Sequence, residues 1–310
     1  MSHVEEVLDS ELERRHHHQR ARIAGVSDAP FDPPRSCNVV LNRRRFHYLD
    51  WGDPSGDPIM FLHGGGQTAR TWDVVCHTLC QDRTRRAIAL DQRGHGDSEW
   101  SYEFDYAPDA HARDLLALAD HLELDRFVLV GMSMGCVNGL RFALDHPARV
   151  SSFVAVDAGP WMTRENAQPI IDFVEGSLEL ESLDAYIEHA SAFNPRRRPE
   201  LLRQSMRHNL RELPNGRWTW KTDWRRPTDF LESIDQAVEA LQTEIHSLAC
   251  PLLVVRGEES RIISSAQADR FAASVANGRW REITGAGHSI QGDQPKVLVA
   301  EIEAFLDECQ

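Results

Sequence analysis

Runs of nearly unbroken apolar residues, PIMFL, AIAL, FVLVG, FVAV and PLLVV, recur along the chain with helix-patterned stretches between them. A strand that is apolar at successive positions must be buried on both faces, and a parallel sheet covered by helices provides that burial. HARDLLALADHLEL and CVNGLRFALDHP carry the helical spacing, and NVVLNRRRFHYLDWG reads as two strands joined by a basic turn. After Pro160 the alternation stops for about 85 residues. ESLDAYIEHASAF, PELLRQSMRHNLREL and TDFLESIDQAVEAL look helical there, and NGRWTWKTDWRRP looks irregular. The alternation resumes at CPLLVVRGEES and closes with the helix PKVLVAEIEAFLDEC. The expected organisation is an α/β core over 36–158 and 245–310, interrupted by a helical cap over 159–244. A charged extension occupies 1–35 and ends in the proline-containing joint DAPFDPPRS.

The chain of 310 residues is 41% apolar, enough for a sizeable core, and its net charge of −14 argues against nucleic acid or an anionic membrane as partner. Six cysteines are scattered, no secretory leader opens the sequence, and no apolar run reaches ~18 residues, so the default setting is a reducing cytoplasm. Cys76 and Cys80 read as small core residues, because no second pair completes a metal site. Neighbouring histidines in RRHHHQR point in different directions on a helix and read as part of a solvated arm. No GxGxxG follows the first strands. No cofactor or metal is expected; the partner is a small-molecule substrate, and a homo-oligomer is left open.

Ser133 lies in GMSMG, between the buried run RFVLVG and a helix. A strand-to-helix turn that tight lifts its central side chain above the sheet and needs small neighbours, which Gly131 and Gly135 supply. The helix N-terminus near Met134 aims unpaired amides at any anion forming beside Ser133, and HGGG at 63–66 ends another strand with further free amides. His288, in ITGAGHSIQGDQP, follows Ser133 by 155 residues and sits on a loop between the last strand and the last helix, where it can serve as the base. His63 and His95 lie in glycine-rich turns and read as loop-holding groups. In DQRGHGDS, Asp91 and Asp97 flank a loop and form a carboxylate pair that could do acid/base work, but Arg93 between them is expected to tie the loop down by an ion pair.

HGGG, DQRGHGDS, GMSMG and GAGHS, in this order and with an insertion after the sixth strand, resemble the α/β-hydrolase superfamily, in its serine-nucleophile, single-cap branch of esterases, lactonases, amide hydrolases and carbon–carbon bond hydrolases. The resemblance implies the α/β-hydrolase fold, an eight-stranded, mostly parallel sheet with helices on both faces and a helical cap. It also implies Ser133 as nucleophile, His288 as base, and the amides of Gly65 and Met134 as oxyanion hole. The acid departs from the commonest pattern: in many members it lies three residues beyond the glycine ending the seventh strand, and here that position is Ser260. Asp157, at the end of FVAV, is the preferred substitute, and Glu259 the alternative.

Gln67, Met132, Trp161, Trp218 and Trp220 are candidates for lining the substrate pocket, with Arg217, Arg225 and Arg226 available to attract a carboxylate. The leading expectation is cofactor-independent cleavage of an ester, lactone or related acyl bond in a small, partly apolar substrate. Carbon–carbon cleavage of an aromatic-pathway diketone and a non-catalytic ligand-binding role on the same scaffold stand as alternatives.

Overall fold

The computed structural model describes residues 14–15, 18–19, 21–22, 25–26, 33–195, 197–225 and 230–309. Most of the extension expected over 1–35, including two of its three consecutive histidines, lies outside the described residues, as does Arg226. The strands are β1 (Arg35–Leu41), β2 (Arg44–Gly52), β3 (Asp57–Leu62), β4 (Arg85–Leu90), β5 (Phe127–Met132), β6 (Val150–Val156), β7 (Glu179–Leu180), β8 (Leu210–Glu212), β9 (Trp218–Trp220), β10 (Leu252–Gly257) and β11 (Gly278–Ile283). The helices are α1 (Asp73–Leu79), α2 (Pro108–His121), α3 (Met134–Asp145), α4 (Arg164–Glu175), α5 (Leu183–Phe193), α6 (Pro199–Asn209), α7 (Phe230–Glu244), α8 (Ser265–Ala273), α9 (Ile290–Asp293) and α10 (Pro295–Glu308).

Eight strands form one sheet in the order β1-β2-β4-β3-β5-β6-β10-β11. β2 runs antiparallel to both its neighbours, and all other pairs are parallel. The first two strands turn through Asn42 and Arg43, both at left-handed φ (50° and 65°), which suits a two-residue hairpin. The apolar runs are divided by their two-residue period. Met60, Leu129, Ala155 and Val254 enter one core, whereas Phe61, Val130, Val154 and Val255 enter the core on the opposite face. That division explains why strands without a polar face occur here: both faces are covered.

Successive connections leave β3 toward β4 on one side and reach β5 on the other, so the strand order reverses at β3. A crevice at the carboxyl ends of the strands opens at such a reversal.

The cap has its own core, in which Val174, Tyr186, Ala190, Leu202, Met206, Leu210 and Trp220 are buried together. Two features differ from the sequence reading. The aromatic stretch expected to be irregular contains β9, which pairs with β7 and β8 in a small antiparallel sheet. Helix α4 is a further cap helix, not among the three expected there; it contains Pro169, and Thr163 caps it by accepting from the Asn166 amide at 3.3 Å. Cys76, Cys80 and Cys136 are buried core residues, and burial pushes the Cys80 thiol up to about 12.

Candidate active site

Ser133 directly follows β5 and caps α3, with φ 52° and ψ −119°, a conformation that a non-glycine residue holds at a cost of ~1–3 kcal/mol. Its hydroxyl makes no capping bond to the helix, so it is not consumed by local structure. The flanking glycines are needed for contact distance. A Cβ on Gly131 would lie 2.5 Å from Gly135 O, and one on Gly135 would lie 2.4 Å from Leu62 O. β3 and the elbow therefore pack backbone to backbone, and the loop after β3 is held against the serine. A Cβ at Gly64 would stand 3.2 Å from Ser133 Cβ, whereas one at Gly65 would meet nothing within 4 Å. Gly65 thus borders open space beside Ser133, with Met134 half-exposed at the first position of α3, where a helix amide has no intrahelical partner.

His63 holds this loop. Its Nδ1–H donates to Gly64 O (2.8 Å) and its Nε2 accepts from the Gln92 amide (3.0 Å), an arrangement of the neutral ring; burial lowers its pKa in the same direction. His95 Nδ1 bonds Arg93 O at 3.0 Å.

Asp157 immediately follows β6, is fully buried, and also has left-handed φ (50°). Its Oδ2 accepts from His288 Nδ1 (2.7 Å) and from Ser260 Oγ, while Oδ1 accepts from the Gly257 amide (3.0 Å). A carboxylate at Nδ1 makes that nitrogen the proton-bearing one and leaves Nε2 with a lone pair in the neutral ring. Gly257 permits the approach, since a Cβ there would lie 2.3 Å from Gly287 O, next to His288. Glu259 is exposed on the turn after β10, and its amide donates to Ala286 O. The structure therefore brings Asp157 and His288 into direct contact. Ser260, in sequence merely an uncharged residue at the usual acid position, points its hydroxyl at the relocated carboxylate.

The pocket candidates separate. Gln67 Oε1 accepts from the Gly64 amide (3.3 Å) and braces the glycine turn. Met132 is buried, with its sulfur against Gly64, so it forms a wall behind the elbow rather than a pocket surface. The Trp161 ring lies edge-on to Phe271, with the Arg270 guanidinium 4.3 Å above it. Trp218 and Trp220 belong to the cap cluster; the Trp220 indole donates to Ser177 O at 2.9 Å, and the ring meets Tyr186 edge-on. Trp220 is buried in that core, and Trp218 is half-buried against it, where a small cap needs bulky groups. Trp224 instead faces the glycine loop, its ring 3.4 Å from where a Gly66 Cβ would sit, with Val174 close behind.

The cationic candidates are also paired. Arg217 contacts Glu179 at 2.6 Å, and Arg225 contacts Asp223 at 2.8 Å. Arg93 pairs with Asp114 on α2 rather than with Asp91 or Asp97, because its side chain turns toward the helix. Asp91 accepts instead from His47 Nδ1 (2.7 Å) and from the amides of Ala69 (2.6 Å) and Asp97 (3.0 Å). Burial works to raise its pKa, but the His47 bond and charge outweigh that and hold it below the usual carboxylate range. His47, Asp91 and Asp97 present ligand atoms within 4.8 Å of one another, but Asp91 already accepts from these three donors and Asp97 is paired with Lys221 at 2.8 Å. The cluster reads as a loop brace.

Residues 59–302 match the Alpha/beta hydrolase family. The esterase Rv0045c of Mycobacterium tuberculosis is 31% identical over 267 residues, spanning 84% of this chain and 85% of the relative. The sn-1-specific diacylglycerol lipase ABHD11 of Mus musculus is 25% identical over 297 residues, spanning 92% and 90%. A solved structure of the M. tuberculosis esterase superposes with a TM-score of 0.77 at 30% identity, covering 94% of this chain and 97% of that one.

Proposed function

The chain belongs to the alpha/beta-hydrolase family, and from that premise we propose that it is a serine hydrolase cleaving an ester, lactone or related acyl bond of a small, partly apolar substrate. The observation that carries this reading is the contact of Asp157 Oδ2 with His288 Nδ1, on the same sheet edge as the strained elbow at Ser133. His288 Nε2 takes the Ser133 proton as Oγ attacks the carbonyl carbon. The Gly65 and Met134 amides receive the charge that develops on the carbonyl oxygen. Collapse of the tetrahedral intermediate passes the proton from His288 to the leaving alcohol, and water then releases the acyl group by the same steps. Asp157 holds the Nδ1–H tautomer and stabilises the imidazolium. No step calls for a cofactor.

Similarity to an esterase favours an acyl ester, and the aromatic and aliphatic groups by the glycine loop, Trp224 and Val174, suit an apolar acyl or alcohol portion. Carbon–carbon cleavage is less favoured, because Arg217 and Arg225 are already neutralised by Glu179 and Asp223. Ser133→Ala tests the reading. Turnover of p-nitrophenyl butyrate and covalent labelling by a fluorophosphonate should both be lost with the melting temperature retained. Full activity in that variant, free of contaminating esterases, overturns it. Among the described residues no helix is long and apolar enough to cross a membrane.

A further inference from the structure

We propose that Arg197 and Asp293 couple the seating of the cap to the placement of His288, with Asp293 acting as a positioning residue for the base. The proposal rests on the reading of His288 as that base. Asp293 closes α9, the short helix that follows the His288 loop. Its Oδ2 accepts from the Gly287 amide at 2.9 Å, one residue before His288. Its Oδ1 accepts from Arg197 Nε at 3.2 Å, and Arg197 comes from the cap, just ahead of α6. Both side chains are largely buried, at 15% and 10% exposed, so this pair is screened less than a surface contact.

The guanidinium rests directly on α9. A Cβ on Gly292 would fall 1.2 Å from Arg197 Nη2, so only glycine leaves room for it. The opposite end of α6 makes a second contact of the same kind: the Asn209 amide oxygen accepts from Thr68 Oγ1 at 3.3 Å, two residues beyond the glycine loop. One cap helix thus spans the seam between the loop that bears His288 and the loop expected to receive the oxyanion. If the cap lifts, Asp293 loses its cation and the Gly287 amide loses a fixed acceptor. His288 would then sample positions away from Ser133, and a displacement of about 1 Å is enough to cost up to ~10²-fold in rate.

The test separates positioning from simple cap closure. Arg197→Ala removes the cation. Gly292→Ala leaves both charges in place but expels the guanidinium, a flexible group that can move without unfolding α9. Arg197→Lys keeps a charge within reach of Asp293. For p-nitrophenyl acetate, whose acyl group is small, the expected result is a drop in kcat of about 10-fold in Arg197→Ala and Gly292→Ala, with KM within about two-fold, and recovery of most of the rate in Arg197→Lys. An unchanged kcat, with KM raised only for a long-chain ester such as p-nitrophenyl octanoate, overturns the proposal, because the pair would then serve cap closure alone. A wild-type rate in Gly292→Ala overturns it as well. Ser133→Ala assayed alongside distinguishes failure of this coupling from failure of the serine-hydrolase reading, since only the latter leaves that variant active.

Discussion

Replacing Asp157 with asparagine changes one atom in a site where both carboxylate oxygens accept hydrogen bonds. The carboxylate receives the Gly257 amide on Oδ1, and His288 Nδ1 and Ser260 Oγ on Oδ2, at a fully buried position. An asparagine has two orientations there. With its oxygen toward Gly257, its NH2 faces His288 and imposes the tautomer with the lone pair on Nδ1. Nε2 then carries a proton and cannot accept the one from Ser133. With its oxygen toward His288, its NH2 opposes the Gly257 N–H, and two buried donors meet at a cost of about 1–3 kcal/mol. The unproductive orientation is favoured by that amount, a factor of ~5 to 150 in population. The productive minority also lacks the negative charge that stabilises the imidazolium in the transition state. Together these effects predict a fall in kcat of ~10³ to 10⁴, or about 4–5.5 kcal/mol, without loss of fold. Steady-state hydrolysis of p-nitrophenyl butyrate from pH 5 to 9, with circular dichroism and thermal melts alongside, measures it. Adding Ser260→Asp to Asp157→Asn should recover at least ~10-fold, because that side chain already reaches the same carboxylate position. A loss smaller than ~10-fold in folded Asp157→Asn would refute the argument.

Other outcomes follow from the same geometry. Glu259→Gln should leave kcat within about two-fold of wild type, since the residue is exposed on its turn and Asp157 already occupies His288 Nδ1; a loss comparable to that of Asp157→Asn would transfer the role. Gly135→Ala should destabilise by about 2–3 kcal/mol in urea unfolding, because its Cβ meets the backbone oxygens of Leu62 and His63, whereas Gly65→Ala should unfold within about 0.5 kcal/mol of wild type. His63 and His111 have pKa values pushed below 6.5 by burial, so as pH falls through 6.5 the unfolded chain takes up protons that the native chain refuses. Stability is then lost at up to ~1.4 kcal/mol per pH unit per histidine, down to the native pKa. The melting temperature should decline from pH 7 to 5, and His111→Leu should flatten that slope; a slope unchanged in the variant contradicts the assignment.

The apolar runs and the elbow glycines were legible in sequence because they are local requirements: a doubly covered strand must be apolar at each position, and a backbone oxygen 2.4 Å from where a Cβ on Gly135 would sit excludes a side chain there. The same signals failed in the cap. Its core is assembled from Val174, Tyr186, Leu202 and Trp220, residues spread over several elements whose pairing no local pattern specifies. Trp218 and Trp220 looked like pocket walls because size and aromaticity are equally useful in a core, and Arg217 looked available because its partner Glu179, 38 residues earlier, becomes a neighbour only in the fold; Arg225 pairs locally with Asp223, two residues before it, a contact set by the turn and not by residue type. Asp157 and Glu259 were both credible acids at the level of residue type. Only tertiary structure separates them: the left-handed turn after β6 directs one carboxylate at His288 Nδ1, with Ser260 and Gly257 supplying donors from β10 and the turn after it, 100 or more residues away in the chain.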